Sequence, residues 1–189
     1  MPRARPWNPP MHPDLAPFRR CPSCAEAALR YEAGKALRCG ACGFRYFHNV
    51  AVAVVGVLVC GDEVLLTRRA HDPAAGTFDL PGGFVDPGES LEAALCRELE
   101  EELALVLPVD APRYLFSSSN RYPFAGIVYR TSDVWFGVRL HERPALRPAD
   151  DVAEARWRTP RAALEEDLSF PVVREGLERL AASGLEALP

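Results

Sequence analysis

No stretch of this sequence is apolar for long enough to cross a bilayer. The longest apolar run, residues 50–60, falls well short of the roughly 20 residues a spanning helix needs. Nothing at its start resembles a secretory signal, because Arg3 and Arg5 are not followed by an apolar stretch. Internal repeats of 20 to 50 residues are absent, which excludes solenoids and propellers. The chain also lacks the polar, highly charged composition of a disordered protein, since 48% of its residues are hydrophobic and 25% charged. These absences leave a globular chain, expected to be cytoplasmic, with no membrane partner. Its 189 residues suffice for one ordinary domain and a small accessory module.

The net charge of −4 conceals an asymmetry. Residues 1–50 carry eight Lys or Arg against three Asp or Glu, a balance of +5, so the remainder stands at −9. A basic head invites a nucleic-acid reading, but Arg19, Arg20, Arg30, Lys35, Arg38 and Arg45 are dispersed along the chain, as on a solvated surface. Nucleic acid is therefore not the expected partner. The acidic remainder has the opposite problem: it repels a polyphosphate unless bound cations intervene.

Six prolines in residues 1–20 remove backbone donors and indicate an irregular arm. Cysteine pairs pace the next segment, residues 21–47. Cys21-Pro-Ser-Cys24 and Cys39-Gly-Ala-Cys42 are two C-x₂-C knuckles whose fourteen-residue spacer is one short of the usual four-cysteine zinc range. Each pair offers two thiolates to one side of a tetrahedral metal, and the two pairs close its shell. A closed shell leaves no place for substrate, so the zinc is read as structural, holding a ribbon too small to fold on apolar burial alone. Two disulfides are disfavoured by the missing secretory signal. Cys60 and Cys96 are read as packed thiols without chemistry.

Residues 48–189 read as the main domain. Valine-rich residues 49–60 and residues 63–69 form strands joined by a Gly61-Asp62 turn. Residues 78–89 hold Pro81, Gly82, Gly83, Pro87 and Gly88 and make a long ordered loop. A helix is expected over 90–107, with Ser90 as its N-cap and Pro108 beyond its end. Strands are expected at 113–118, 127–131, 134–140 and 153–158, and a last helix at 172–182. Several strands with few helices point to an α/β sandwich, a mixed sheet between helices.

Glu98, Glu101 and Glu102 fall at i, i+3 and i+4, so three carboxylates share one helical face. That face borders the apolar stripe of Leu91, Leu95, Leu99, Leu103 and Val106. Glu98 and Glu102 repel each other, and only Arg97 offers local compensation. The arrangement asks for a further cation.

Gly83, Glu89, Arg97-Glu98-Leu99, Glu101-Glu102 and Leu105 together resemble the Nudix box, G-x₅-E-x₇-R-E-U-x-E-E-x-G-U, where U is aliphatic. Ala104 replaces its final glycine. The resemblance extends upstream through Leu65-Leu66-Thr67-Arg68-Arg69 and Phe78-Asp79-Leu80-Pro81-Gly82-Gly83, and downstream to Glu154-Ala155-Arg156-Trp157. With the cysteine knuckles, the chain is similar to the zinc-ribbon branch that includes the NADH pyrophosphatases. It lacks that branch's Ser-Gln-Pro-Trp segment, having Ser117-Ser-Ser-Asn-Arg-Tyr-Pro-Phe124 in the comparable region, so NADH specificity does not carry over.

The resemblance implies a Nudix-type α/β/α sandwich and Mg²⁺- or Mn²⁺-dependent cleavage of a pyrophosphate bond. The substrate class is a nucleoside diphosphate linked to another moiety, with ADP-ribose, NADH or a damaged nucleoside triphosphate all compatible. It further implies that Glu98, Glu101 and Glu102 bind the metal, that the Gly82 carbonyl joins them, that Glu89 and Arg97 brace loop against helix, and that a homodimer forms. The general base is open between Glu98 or Glu102 in the box and Asp151 or Glu154 beyond it, the latter two being equally readable as salt-bridge residues. Arg68 and Arg69 are candidates for phosphate oxygens or plain surface residues. Tyr122 and Phe124 are candidates for stacking on a base or for covering the core edge. The rival reading is a non-catalytic nucleotide-sensing or nucleic-acid-binding module built on the same fold.

Overall fold

The structure, a computed structural model, describes residues 13–32 and 34–185. They fall into two compact units: the described residues up to Val50 together with Arg121–Arg130, and Ala51–Asn120 with the described residues from Thr131 onward. No helix among the described residues is long and apolar enough to cross a membrane.

Of the proline-rich arm, residues 1–12 lie outside the described residues; Pro13–Leu15 forms a 3-10 turn. The first unit then forms a three-stranded antiparallel sheet, β1 (Leu29–Glu32), β2 (Ala36–Cys39) and β3 (Arg45–Phe47), in the order β1-β2-β3. Its buried apolar residues are few: Leu15, Cys21, Ala36, Leu37 and Cys39. So small a core does not stabilise a fold unaided. The tip of a long hairpin, residues 121–130, joins this unit through Arg130, whose Nε donates to the buried Asp14 carboxylate at 2.5 Å.

The second unit is built on a six-stranded mixed sheet comprising β4 (Ala51–Cys60), β5 (Glu63–Arg69), β6 (Phe78–Asp79), β7 (Arg113–Phe124), β8 (Ile127–Arg139) and β9 (Val152–Arg158). The order is β6-β5-β4-β8-β7, with β9 also pairing β5. The valine-rich β4 runs parallel to β8, Ala51 opposite Thr131 through Val59 opposite Arg139. Burial on both faces explains why β4 reads as a continuous apolar run instead of an alternating one. One face packs Val57, Val59, Leu66 and Trp135 against Val173, Leu177 and Leu180 of helix α3 (Pro171–Ser183). The other packs Val54, Leu58, Leu65 and Phe136 against Leu95, Leu99 and Leu103 of helix α1 (Leu91–Leu103). A short helix, α2 (Pro160–Ala163), begins on a Thr159 cap. The result is the expected α/β/α sandwich.

Three boundaries differ from the expectations. Helix α1 stops at Leu103 because Ala104 turns left-handed at φ 55°, and the Ala104 and Leu105 N–H groups bond back to Glu100 and Leu99. Residues 127–139 form one strand where two were expected. Asp133, a poor strand former, is retained inside β8 because Thr131 Oγ1 and Asn120 Nδ2 donate to its carboxylate at 2.5 and 3.1 Å. Strand β7 runs on to Phe124 through a serine-rich stretch, turning into β8 over Ala125-Gly126, both at positive φ, as a two-residue hairpin connection requires.

Candidate active site and cysteine centre

The Gly82-Gly83 loop is pinned between β4 and α1. The Gly56 and Val54 N–H groups of β4 donate to the Pro81 and Gly83 carbonyls at 2.8 and 2.9 Å. Between them the Gly82 carbonyl accepts no hydrogen bond among the described residues. Only glycine fits at 82, where φ is 139° and a Cβ would stand 2.1 Å from the Val54 carbonyl oxygen. At 83 a Cβ would come within 2.4 Å of Glu98 Oε1. Gly82 is therefore a condition for the approach of the loop to β4, and Gly83 leaves the room that the Glu98 carboxylate occupies.

Helix α1 starts on Ser90, whose Oγ accepts from Ala93 N–H at 3.2 Å, and it aims four acidic or basic groups at this loop. Arg97 gathers the charges: Nε and Nη2 donate to the two Glu89 oxygens at 2.9 and 3.1 Å, Nη2 also to the Phe84 carbonyl, and Nη1 to Glu98 and Glu101 at 2.9 Å each. The hydrogen bonds from Arg97 hold the Glu89 carboxyl below its ordinary range. Glu102 lies on the inner side, 6% exposed, and accepts the Gly82 N–H at 3.1 Å. Burial pushes its carboxyl up to about 8, with the Gly82 hydrogen bond opposing and the charges of Glu98, Asp79 and Asp151 adding to the rise. Burial likewise raises Glu98, against the pull of Arg97. Glu100 is exposed, as expected.

The end of α1 brings further carboxylates to the same place. Its last carbonyls, which no residue of the helix itself can satisfy, accept N–H groups from the chain before β9: Ala149 N–H bonds Glu102 and Arg147 N–H bonds Leu103, at 2.9 Å each. Asp150 and Asp151 follow directly and act electrostatically on Glu98 and Glu102. Asp79 completes the group from β6. It is half-buried, and desolvation raises its carboxyl despite the Ser169 hydroxyl at 2.8 Å, Arg69 at 3.5 Å and the Leu80 N–H. Reading the sequence missed Asp79 and Asp150 as members of this group; the signal for Asp79 was its place three residues before Gly82.

The other candidates divide. Asp151 belongs to the acidic group, whereas Glu154 accepts from Arg68 at 2.9 Å and Arg156 at 2.6 Å, which is the salt-bridge alternative. Arg68 also bonds the Gly76 carbonyl, and Arg69 bonds the Pro73 carbonyl and pairs with Asp79, so both guanidiniums have internal partners. Tyr122 and Phe124 stack on each other at 6.3 Å between centroids on the hairpin tip and belong to neither core cluster.

A hard divalent cation suits oxygen donors in this environment. The donor set fits it: the Glu98 and Glu102 carboxyls are pushed toward their protonated forms by burial and by neighbouring charges, beside a Gly82 carbonyl that no donor among the described residues bonds. The three glutamates do not yet converge, because Arg97 holds Glu98 and Glu101 while Gly82 holds Glu102. Among the described residues, the group whose ligand atoms already stand together is Cys21, Cys24, Cys39 and Cys42, all four sulfurs within 4.8 Å of one another. The two knuckles are built alike. Cys21 N–H bonds Glu26 O and Ala25 N–H bonds Cys21 O; Cys39 N–H bonds Phe44 O and Gly43 N–H bonds Cys39 O. Sulfurs from opposite knuckles lie 3.6 and 3.7 Å apart, too far for a disulfide and close to the edge of about 3.8 Å of a tetrahedron with zinc–sulfur bonds of about 2.3 Å. The backbone N–H of Cys42, against burial, lowers the Cys39 thiol to about 7. The cysteines thus fit structural zinc.

This geometry, a mixed-sheet sandwich with a glycine loop clamped on a glutamate-bearing helix, agrees with the family comparison. Residues 48–179 match the model described as NUDIX domain, and the chain belongs to the Nudix family. It is 38% identical over 85 residues to an ADP-ribose pyrophosphatase of Methanocaldococcus jannaschii, covering 45% of this chain and 50% of that protein. It is 31% identical over 152 residues to an NAD-capped RNA hydrolase NudC of Deinococcus radiodurans, covering 77% and 51% respectively. The chain thus spans about half the length of these curated relatives. In fold it is similar to the crystal structure of a NUDIX hydrolase from Nitrosomonas europaea, with a TM-score of 0.65 and 23% identity, covering 90% of this chain and 94% of that one.

Proposed function

We propose that the chain is a Mg²⁺- or Mn²⁺-dependent pyrophosphohydrolase acting on a nucleoside diphosphate joined to a further group, of the ADP-ribose or NADH kind, with a structural zinc in its cysteine ribbon. One observation carries this reading: Glu102 is buried beside Glu98, Asp79 and Asp151, and no cationic side chain among the described residues bonds it. Such an arrangement is costly to the fold and profitable only where a metal is recruited. The names of the two relatives, an ADP-ribose pyrophosphatase and an NAD-capped RNA hydrolase, supply the substrate class.

In this reading Glu98, Glu101 and Glu102 hold the metal with the Gly82 carbonyl. The bound cation supplies charge neutralisation of the diphosphate, polarisation of the bridging P–O bond and an oriented water. Glu89 and Arg97 position the loop, Arg97 through its two bonds to Glu89, while Glu98 and Glu101, which it also holds, would be the metal's ligands. A carboxylate accepts the proton of the attacking water as the new P–O bond forms, and the bridging P–O bond breaks to release a nucleoside monophosphate. Glu98, Glu102 and Asp151 are the candidates for that base, and Asp151 is favoured over Glu154 because the latter is committed to Arg68 and Arg156. Arg68 and Arg69 act in this scheme by ordering the strand ends around the site.

The test is to incubate the purified chain with Mg²⁺ or Mn²⁺ and ADP-ribose, NADH or a nucleoside triphosphate, with products identified by chromatography. Release of a nucleoside monophosphate from a diphosphate compound is expected. Glu98→Gln and Glu101→Gln should keep the fold and lose several kcal/mol of transition-state stabilisation, roughly a hundredfold or more in rate. Absence of turnover on every compound, or unimpaired turnover in both variants, defeats the proposal.

A further inference from the structure

The basic residues of the ribbon, scattered along the sequence, are brought into one line by the strand register. Arg30 of β1 stands opposite Arg38 of β2, and Arg38 stands opposite Arg45 of β3. Directly opposed residues share a face of a sheet, so three arginines form a row across all three strands. All three are exposed. Like charges placed opposite each other destabilise a sheet, and compensation is incomplete: Glu32 alone serves Arg38 at 3.4 Å and Arg45 at 3.0 Å, and Arg30 has no carboxylate partner among the described residues. Two positions along β3 on the same face, Phe47 lies opposite Ala36 and is 48% exposed. The opposite face carries Leu37, Cys39 and Tyr46, the last stacked on Phe18 at 5.6 Å, so the sheet's apolar packing is on that side. Phe47 is thus an aromatic ring left on the charged side, beside a row of guanidiniums.

We infer that this face binds a single-stranded nucleic acid, its phosphates on the Arg30, Arg38 and Arg45 row and a base on Phe47. The charge of the whole unit is complementary, since its described residues carry eight Lys or Arg against three Asp or Glu. Guanidiniums match phosphate oxygens geometrically, and a row plus a ring is the combination by which single strands are held without base-edge readout. A duplex offers no free base face to Phe47 and should bind less well. The inference is independent of the hydrolase reading, because none of these residues is in the carboxylate site.

The experiment uses the full chain, zinc-loaded, and a fluorescein-labelled twelve-nucleotide oligouridylate, followed by anisotropy from low to physiological salt. Each phosphate contact contributes about −0.7 to the slope of log affinity against log salt on a single strand. Arg30→Gln should therefore make the slope shallower by about that amount, and Arg30→Lys should restore it. Phe47→Ala should weaken binding roughly 5- to 150-fold with the slope unchanged. Zinc content and turnover of a small diphosphate substrate should stay at wild-type levels in all three variants, which separates this surface from the catalytic site. No binding by the wild-type chain at low salt, equal binding of a duplex of the same length, or affinity and slope unmoved in both Arg30→Gln and Phe47→Ala would each overturn the inference.

Discussion

Replacing Glu102 by glutamine should raise stability while destroying activity, and the size of the gain should depend on pH. In the metal-free protein burial moves the carboxyl of Glu102 from an ordinary value of 4.5 to about 8. The folded protein therefore binds a proton that the unfolded chain has released between those values, and stability falls as pH rises from about 4.5 to 8. Each factor of ten is worth about 1.4 kcal/mol, so the full span sets an upper bound of about 5 kcal/mol. Water penetration and relaxation make 2–3 kcal/mol a realistic share. Glutamine is neutral at every pH and its side-chain oxygen can still accept the Gly82 N–H. The variant should match the wild type near pH 5 and melt higher near pH 9. At about 2–4 °C per kcal/mol for a chain of this size, the difference is roughly 5–10 °C. The assay is thermal unfolding of the EDTA-treated protein by circular dichroism, at pH values from 5 to 9. Zinc loss from the ribbon is controlled by measuring both proteins in the same chelator. Saturating Mg²⁺ should raise the wild-type melting temperature at pH 9 and leave the variant unmoved, because ligands stabilise the state they bind. A variant destabilised equally at every pH would refute the reasoning, since Glu102 would then be an ordinary stabilising hydrogen-bond acceptor.

Other consequences follow from particular contacts. Gly83→Ala places a methyl group where the Glu98 carboxylate lies; the side chain can swing away, so the melting temperature should fall little, while Mg²⁺-dependent turnover drops at least tenfold in steady-state assays. Ala104→Gly relieves a left-handed alanine at the end of α1 and should raise stability by about 1 kcal/mol, measured by urea titration, with turnover unchanged. Removing zinc with a strong chelator should collapse hydrogen-exchange protection in β1–β3, while the amides of β4 and β8, held by the sandwich core, stay protected.

The box glutamates, the N-cap serine and the paired cysteines were legible because their chemistry depends on spacing along one helix or one knuckle. An i, i+3, i+4 set shares a helical face whatever surrounds it, and two C-x₂-C pairs need only a turn apiece. The sandwich was legible for the same reason, from apolar runs of strand and helix length. The continuity of strand β8 was not, because its Asp133 is held by Thr131 and also by Asn120, thirteen residues earlier on a neighbouring strand. The end of α1 was also misread: apolar residues continue past Leu103, but the left-handed turn at Ala104 and the bonds from Arg147 and Ala149 end the helix.

Amino-acid order alone thus determined which carboxylates and thiols can act together locally, and through them the family. Tertiary structure decided the rest: that Asp79, Asp150 and Asp151 gather around Glu98 and Glu102, that Arg68 and Glu154 neutralise each other, and that Arg30, Arg38 and Arg45 form a single row. Each of these depends on strand register or on which chain segment caps a helix, and those are fixed by core packing and backbone hydrogen bonding between residues far apart in sequence.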